Sequence, residues 1–411
     1  MKKIIKYFVI MLLICSINIV SAGCDSRSFS SKGLIYSAKY DDNGEIVEFS
    51  ITAAKDTGPY VKIPNEYLGH PITMIDDSAF LECNNLVAIQ IPQNIQQIAN
   101  NAFTNCVKLT EISVADNNPN YSSQEGVLFD KNKTEILLYP QSKNNDEYQI
   151  PSSVIKVGDK AFFNNTFIAD ISGGENVLQI GSESFSGCTR LSNLVFPNSL
   201  STIKSRAFDS CYNLMRLTIP HSVTTIEENA FDNCYKLIEI FNLSELPIAV
   251  KSEKHGKIGY YALNVQSKNN LHSCITQTED GFIFFNSNDI VYLVGYNGNN
   301  KKPDFPEEYN RKPYEIYNCA FLWNNTIETI SIPNFVTSIE KFTFSNCSSL
   351  KKIEIPTSIT VIDSFAISDC KQLNDITFKG TKEQWDTISK RYNWDNETKF
   401  NIHYNNSNAV K

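Results

Sequence analysis

The sequence is short of what a catalytic or membrane-spanning reading needs. Its 411 residues include only 5 histidines, 4 methionines and 3 tryptophans. The histidines are His70, His221, His255, His272 and His403, and no two fall at metal-ligand spacing. There is no Gly-x-Ser-x-Gly elbow, no Walker loop, no Gly-x-Gly-x-x-Gly turn and no His-Glu-x-x-His helix. The common hydrolase, nucleotide and zinc-peptidase chemistries therefore lack their signatures. Positive charge is in deficit: 37 Lys+Arg against 45 Asp+Glu leave a net charge of −8. That balance argues against a phosphate-driven nucleic-acid binder. After residue 20 no stretch approaches the roughly 18 continuous apolar residues of a spanning helix. With 42% hydrophobic residues, wholesale disorder is also excluded.

What is present begins with a targeting pattern. Lys2, Lys3 and Lys6 precede an apolar run from Tyr7 to Val20, and Ser21-Ala22-Gly23-Cys24 follows. This predicts an export signal over residues 1–23. The run before Cys24 resembles a bacterial lipobox, which implies lipid attachment at Cys24 and a membrane anchor. Ser21 departs from that pattern, where a larger aliphatic residue is usual. Plain cleavage after Ala22 is the alternative. Residues 24–32, with Ser26, Ser28, Ser30 and Ser31, read as a polar tether.

The rest of the chain repeats. Cys83, Cys106, Cys188, Cys211, Cys234, Cys347 and Cys370 lie 23 residues apart within each block. An Ala-Phe-like pair ends three residues before most of them, as in Ala79-Phe80 and Ala230-Phe231. A leucine follows each by three residues: Leu86, Leu109, Leu191, Leu214, Leu237, Leu350 and Leu373. Two more copies carry Asn165 and Asn324 in place of the cysteine, which makes nine. One copy cannot bury enough apolar surface to fold alone, so the copies must stack. The alternation at Ile89-Gln90-Ile91 predicts one short strand per coil, laid beside that of the next.

The segment Ile219 to Ile240 reads Ile-Pro-x-Ser-Val-Thr-x-Ile-x-x-x-Ala-Phe-x-x-Cys-x-x-Leu-x-x-Ile. In this it resembles the BspA-like leucine-rich repeats of bacterial surface proteins. The resemblance implies a right-handed leucine-rich-repeat solenoid rich in short β-strands, exposed at the cell surface. It also implies protein-protein binding or adhesion, to host matrix or to other microbes; the missing catalytic and metal motifs lead to the expectation of no catalysis and no cofactor.

The solenoid is expected over residues 76–378, after an N-terminal β cap at 33–75. Insertions are expected near 115–150 and 242–318, each carrying a β-hairpin: Val127-Leu128-Phe129 with Ile136-Leu137-Leu138, and Phe282 to Phe285 with Ile290 to Val294. Residues 379–411 form the C-terminal cap and tail. There Thr381-x-x-Gln384 signals a capping box, and Trp385, Ile388 and Tyr392 share the apolar face of a short helix. A break into two domains near 245–275 is the alternative to one continuous coil.

The seven ladder cysteines read as buried free thiols. Stacked strands ~4.7–4.9 Å apart are close enough for disulfides, but parallel side chains point the wrong way. Ligands in a line make no tetrahedron, so a zinc site is excluded. Cys274 and Cys319 lie off the ladder, where pairing stays open.

Strand positions freed from core duty are the candidate binding surface. Most are polar. Val195, Met215, Ile238 and Phe241 are apolar and fall on three successive coils, with Arg216 among them, a combination typical of binding hot spots. Burial of Ile238 and Phe241 under the second insertion is the competing reading. The functional expectation is an exported, lipid-anchored surface protein that recognises a macromolecular partner. The alternatives are a structural module of the envelope, or a hydrolase with a site in the second insertion.

Overall fold

Strand pairing follows the 23-residue period. The computed structural model describes residues 28–267, 271–287 and 290–405. The expected signal segment and Cys24 lie outside the described residues. The chain is a β-solenoid, and its described residues fall into two compact units. The first runs to Thr189 and adds Val195–Asp209 and Ser222–Asp232; the second comprises Arg190–Leu194, Ser210–His221 and the chain from Asn233 on.

The first unit opens with an antiparallel cap, Ser28–Ser31 on Leu34–Tyr40 on Ile46–Ala54. Ser28, Ser30 and Ser31, read from sequence as tether, are thus strand residues. The alternation around Phe29 that allows this is only four residues long, too short to stand out. His70–Ile75 then pairs parallel to Ile46–Ala54 and starts the coil. On one wall Lys156–Val157, Gln179–Ile180, Thr202–Ile203 and Thr225–Ile226 pair parallel, each with the residues one period on. On the other, Tyr60–Lys62, Ala88–Ile91 and Glu111–Val114 do the same. The first insertion is a hairpin, Val127–Asp130 against Glu135–Leu138, and its second strand pairs parallel to Lys156–Val157. The insertion is therefore spliced into the wall.

Between the walls the repeat phenylalanines stack face to face. Phe162–Phe185, Phe185–Phe208 and Phe208–Phe231 have centroids 4.7, 5.2 and 5.1 Å apart. Such pairs add about 0.5–1.5 kcal/mol each beyond area burial. Tyr139 joins this column, 4.8 Å from Phe162. It lies one period before Phe162, so the first insertion contains a coil of its own.

The ladder cysteines are donors as well as fillers. Cys106 Sγ donates to the Phe80 carbonyl at 3.0 Å and Cys188 Sγ to Phe162 at 3.2 Å. In the second unit Cys347 and Cys370 reach Phe321 and Phe344 at 3.0 Å. Each thiol is a second donor to the column carbonyl of the preceding coil; the Cys83, Asn165 and Asn324 amides already reach the Phe80, Phe162 and Phe321 carbonyls at 3.2, 3.0 and 2.9 Å. Asn165 and Asn324 replace cysteine where the preceding segment is irregular. Asn165 Nδ2 reaches the carbonyls of Pro140, Gln141 and Lys143 at 3.1–3.2 Å, and its Oδ1 accepts from the Phe167 and Ile168 amides at 3.0 Å. A carboxamide has the reach and the two-way bonding that a thiol lacks.

The second unit repeats the plan. Arg216–Ile219, Glu239–Asn242 and Asn264–Ser267 form a parallel sheet, as do Thr329–Ser331, Lys352–Ile355, Asp375–Phe378 and Asn401–Tyr404. The second insertion is the expected hairpin, Phe282–Ser287 against Ile290–Tyr296, continued into Glu315–Ile316. Helix α1 (Lys382–Thr387) carries the capping box: the Gln384 amide donates to Thr381 Oγ1 at 3.4 Å, and the Thr381 amide to Gln384 Oε1 at 2.9 Å. Trp385 and Ile388 are buried, but Tyr392 is 79% exposed. The helix ends at Thr387 and Ser389–Lys390 returns to the sheet, which takes Tyr392 off the helical face.

Candidate functional site

The strands alternate in burial because successive side chains point to opposite faces. In Arg216–Ile219 the first and third residues are exposed and the second and fourth buried. The exposed positions form the surface that the repeat leaves free. Val195, in the first unit, is 65% exposed. Met215, Arg216, Ile238 and Phe241 belong to the second unit, and they have different fates.

Ile238 is wholly buried, in a cluster with Cys274, Ile283, Phe285 and Val294. The second insertion lies over it, so burial removes Ile238 from the expected exposed set. Met215 is half-buried against the same cluster. Phe241 is half-buried, with the Arg216 guanidinium 5.9 Å above its ring. Arg216 remains exposed but is engaged: its Nε donates to Glu239 Oε2 at 2.7 Å.

Glu239 is the hub of that contact and has no exposure. Its Oε2 also accepts from Ser273 Oγ at 2.8 Å, and its Oε1 accepts the Cys274 amide at 2.6 Å. This carboxylate ties the strand Glu239–Asn242 to the insertion that covers Ile238. A charge at an exposed strand position is usually a solvated one; here the insertion turns it into a latch.

Further along the unit the exposed face is charged and paired within itself. Glu328 accepts from Lys301 at 2.6 Å and Lys351 at 2.8 Å, and the two ammonium groups hold its carboxyl at about 2. Glu354 accepts from Lys352 at 2.9 Å, with Lys379 3.8 Å away, and stays below the usual range. Such exposed pairs add little stability but fix the charge pattern that a partner meets.

Sequence reasoning missed Lys236. It stands two residues after Cys234, the position of exposed Lys108 after Cys106, yet it is only 7% exposed. Burial pushes its amine down to about 8, and the nearby Cys319 thiol is itself pushed up to about 12 by burial. The signal available was the insertion that begins a few residues later. Cys274 and Cys319 are both free thiols. Among the described residues no three His, Cys, Asp or Glu side chains group to hold a metal ion. Nor is any described helix long and apolar enough to cross a membrane.

Comparison with known proteins fits this repeat geometry. The family model described as BspA type leucine rich repeat region matches in 6 copies, over residues 60–138, 138–253 and 305–405. The chain belongs to the BspA type leucine-rich-repeat family. Its members are typically surface proteins that bind other proteins and are typically non-catalytic. Among solved structures, a leucine rich cell surface protein from Faecalibacterium prausnitzii is 20% identical, covering 90% of this chain and 99% of that one, with a TM-score of 0.36. A leucine-rich repeat protein from Bacteroides ovatus is 18% identical, covering 91% and 99%, with a TM-score of 0.33. The pneumococcal vaccine antigen PcpA is 13% identical, covering 92% and 98%, with a TM-score of 0.31. No curated protein matches the chain.

Proposed function

We propose that this protein is exported, anchored by a lipid at Cys24, and binds a protein partner at the cell surface through the exposed strand positions of its solenoid. The observation that carries the binding reading is the alternation in strands such as Arg216–Ile219, which keeps a row of side chains free of core duty on a rigid frame. The recognised partner is a protein of host matrix or of a neighbouring microbe. Val195 is the apolar anchor in the first unit; Met215, Arg216 and Phe241 are the contact residues in the second. Recognition is by surface complementarity, with no covalent step.

The test is binding of the purified chain to solubilised extracellular matrix and to intact bacterial cells. Val195→Ser, Met215→Ser and Phe241→Ser are each expected to weaken capture while circular dichroism stays unchanged. Full capture by all three folded variants would overturn the assignment of these residues. Capture only by the producing cell's own envelope would favour an assembly role. For the anchor, palmitate labelling should be lost in Cys24→Ala; label that survives would overturn lipidation there.

A further inference from the structure

The coil around Phe103 ends in an open edge. In regular coils, alternate amides around the column phenylalanine donate to the next coil. Phe162 and Asn164 reach the Ser184 and Ser186 carbonyls at 2.7 and 2.8 Å. Phe80 and Glu82 reach Ala102 and Thr104 at 2.8 and 3.0 Å. The matching amides one period on, those of Phe103 and Asn105, meet no acceptor among the described residues. The aromatic column is interrupted at the same place. Phe80 stacks on Phe103 at 5.2 Å and Tyr139 on Phe162 at 4.8 Å, but among the described residues no ring contact joins Phe103 to Tyr139.

Phe103, Asn105, Leu109, Leu138, Tyr139 and Lys160 line a cleft of about 290 Å³ at this break, all within the first unit. Lys160 donates to the neutral Asn101 Oδ1 at 2.8 Å, and no carboxylate pairs with it among the described residues. The cleft thus offers two backbone donors at alternate residues, an apolar gap between Phe103 and Tyr139 and the Lys160 ammonium group; its two carboxylates are engaged elsewhere, Glu135 with Lys156 at 2.8 Å and Asp159 with the Ser182 amide at 2.8 Å. Unpaired amides out of bulk water favour an occupant that brings acceptors. Donors at alternate residues match the alternate carbonyls of a peptide backbone, whereas a small anion satisfies one of them.

We propose that this cleft binds a peptide segment of a partner protein, laid along the open edge as a further coil would be. An aromatic side chain of the segment sits between Phe103 and Tyr139, and a carboxylate lies beside Lys160. This site is separate from the strand-face surface and stands without it.

The probe is the acetylated, amidated hexapeptide of residues 228–233, Glu-Asn-Ala-Phe-Asp-Asn. In the solenoid the Ala230 carbonyl of this segment accepts at 2.7 Å from Phe208, the repeat equivalent of Phe103, so the segment already has the complementary backbone at that donor. Titration into the full chain, followed by calorimetry and amide hydrogen exchange, should show saturable binding with slowed exchange at Phe103 and Asn105. Replacing the peptide's phenylalanine by alanine, or Lys160→Met in the protein, should each weaken binding about tenfold. Val195→Ser should leave it unchanged. Unchanged exchange at Phe103 and Asn105 in millimolar peptide, or equal affinity for the alanine peptide, would overturn the proposal. Circular dichroism of Lys160→Met separates lost binding from lost fold.

Discussion

Replacing Lys236 by methionine should stabilise the second unit, by an amount that depends on pH in a defined way. The amine falls from 10.5 when free to about 8 when folded, because burial disfavours its charged form. A tenfold change in proton affinity is worth about 1.4 kcal/mol, so charged Lys236 costs the fold about 3 kcal/mol. The folded value is the lower one. Between pH 8 and 10.5 the unfolded chain therefore binds more protons, and stability rises with pH across that window. Below pH 8 the full penalty applies. Methionine is of similar length and carries no charge, so Lys236→Met should gain about 3 kcal/mol at pH 6.5 and about 1 kcal/mol at pH 9.5. The Cys319 thiol, pushed up to about 12 in the fold, ionises near 9.0 only when unfolded; wild type and variant share that contribution, so it cancels in the difference between them. The assay is urea unfolding followed by tryptophan fluorescence. Trp323, Trp385 and Trp394 all lie in the second unit, so the signal reports that unit alone. Lys371→Met, an exposed lysine of the same unit, is the control and should change little. A gain for Lys236→Met that is the same at both pH values, or a loss, would refute the burial argument.

Other outcomes follow from the same packing. Glu239→Gln should destabilise the second unit by about 2 kcal/mol in that assay, because a carboxamide has one acceptor oxygen where the buried carboxylate accepts from Arg216, Ser273 and Cys274 with two. Asn165→Cys should cost the first unit about 2 kcal/mol by calorimetry, since a thiol leaves several of the carbonyls and amides that Asn165 bonds unsatisfied. Thr381→Ala should remove the capping box and cost about 1 kcal/mol, read as a lower urea midpoint. Among the described cysteines, dithionitrobenzoate should label Cys83 first in the native protein, because it alone is half-buried whereas the others, Cys106 and Cys188 among them, are buried.

The fold was legible because its signal is periodic. The ladder cysteines, the leucines three residues on and the Ala-Phe pairs give the coil without any long-range knowledge, and the two hairpins show as paired apolar runs. What stayed hidden depends on contacts that the period does not encode. Tyr139 escaped notice because Leu138-Tyr139 stands where Ala-Phe is expected. Ile238 and Lys236 occupy positions that are exposed in a plain coil, and only the path of the second insertion buries them. Glu239 looks like one more surface acid until Ser273 and Cys274 arrive from 34 and 35 residues away. The thiol-to-carbonyl bonds explain why cysteine holds the ladder position, whereas sequence reasoning supplied only its size. Tyr392 has helical spacing in a helix that stops at Thr387.

The central claim is that the free strand face meets a protein. A photo-crosslinking amino acid placed at Thr218, exposed in the strand Arg216–Ile219, tests it against the same label at Lys371, exposed in a turn. Illumination with intact cells or solubilised matrix should give covalent protein adducts from Thr218 and none from Lys371. No adduct from Thr218, or equal adducts from both, would contradict the account.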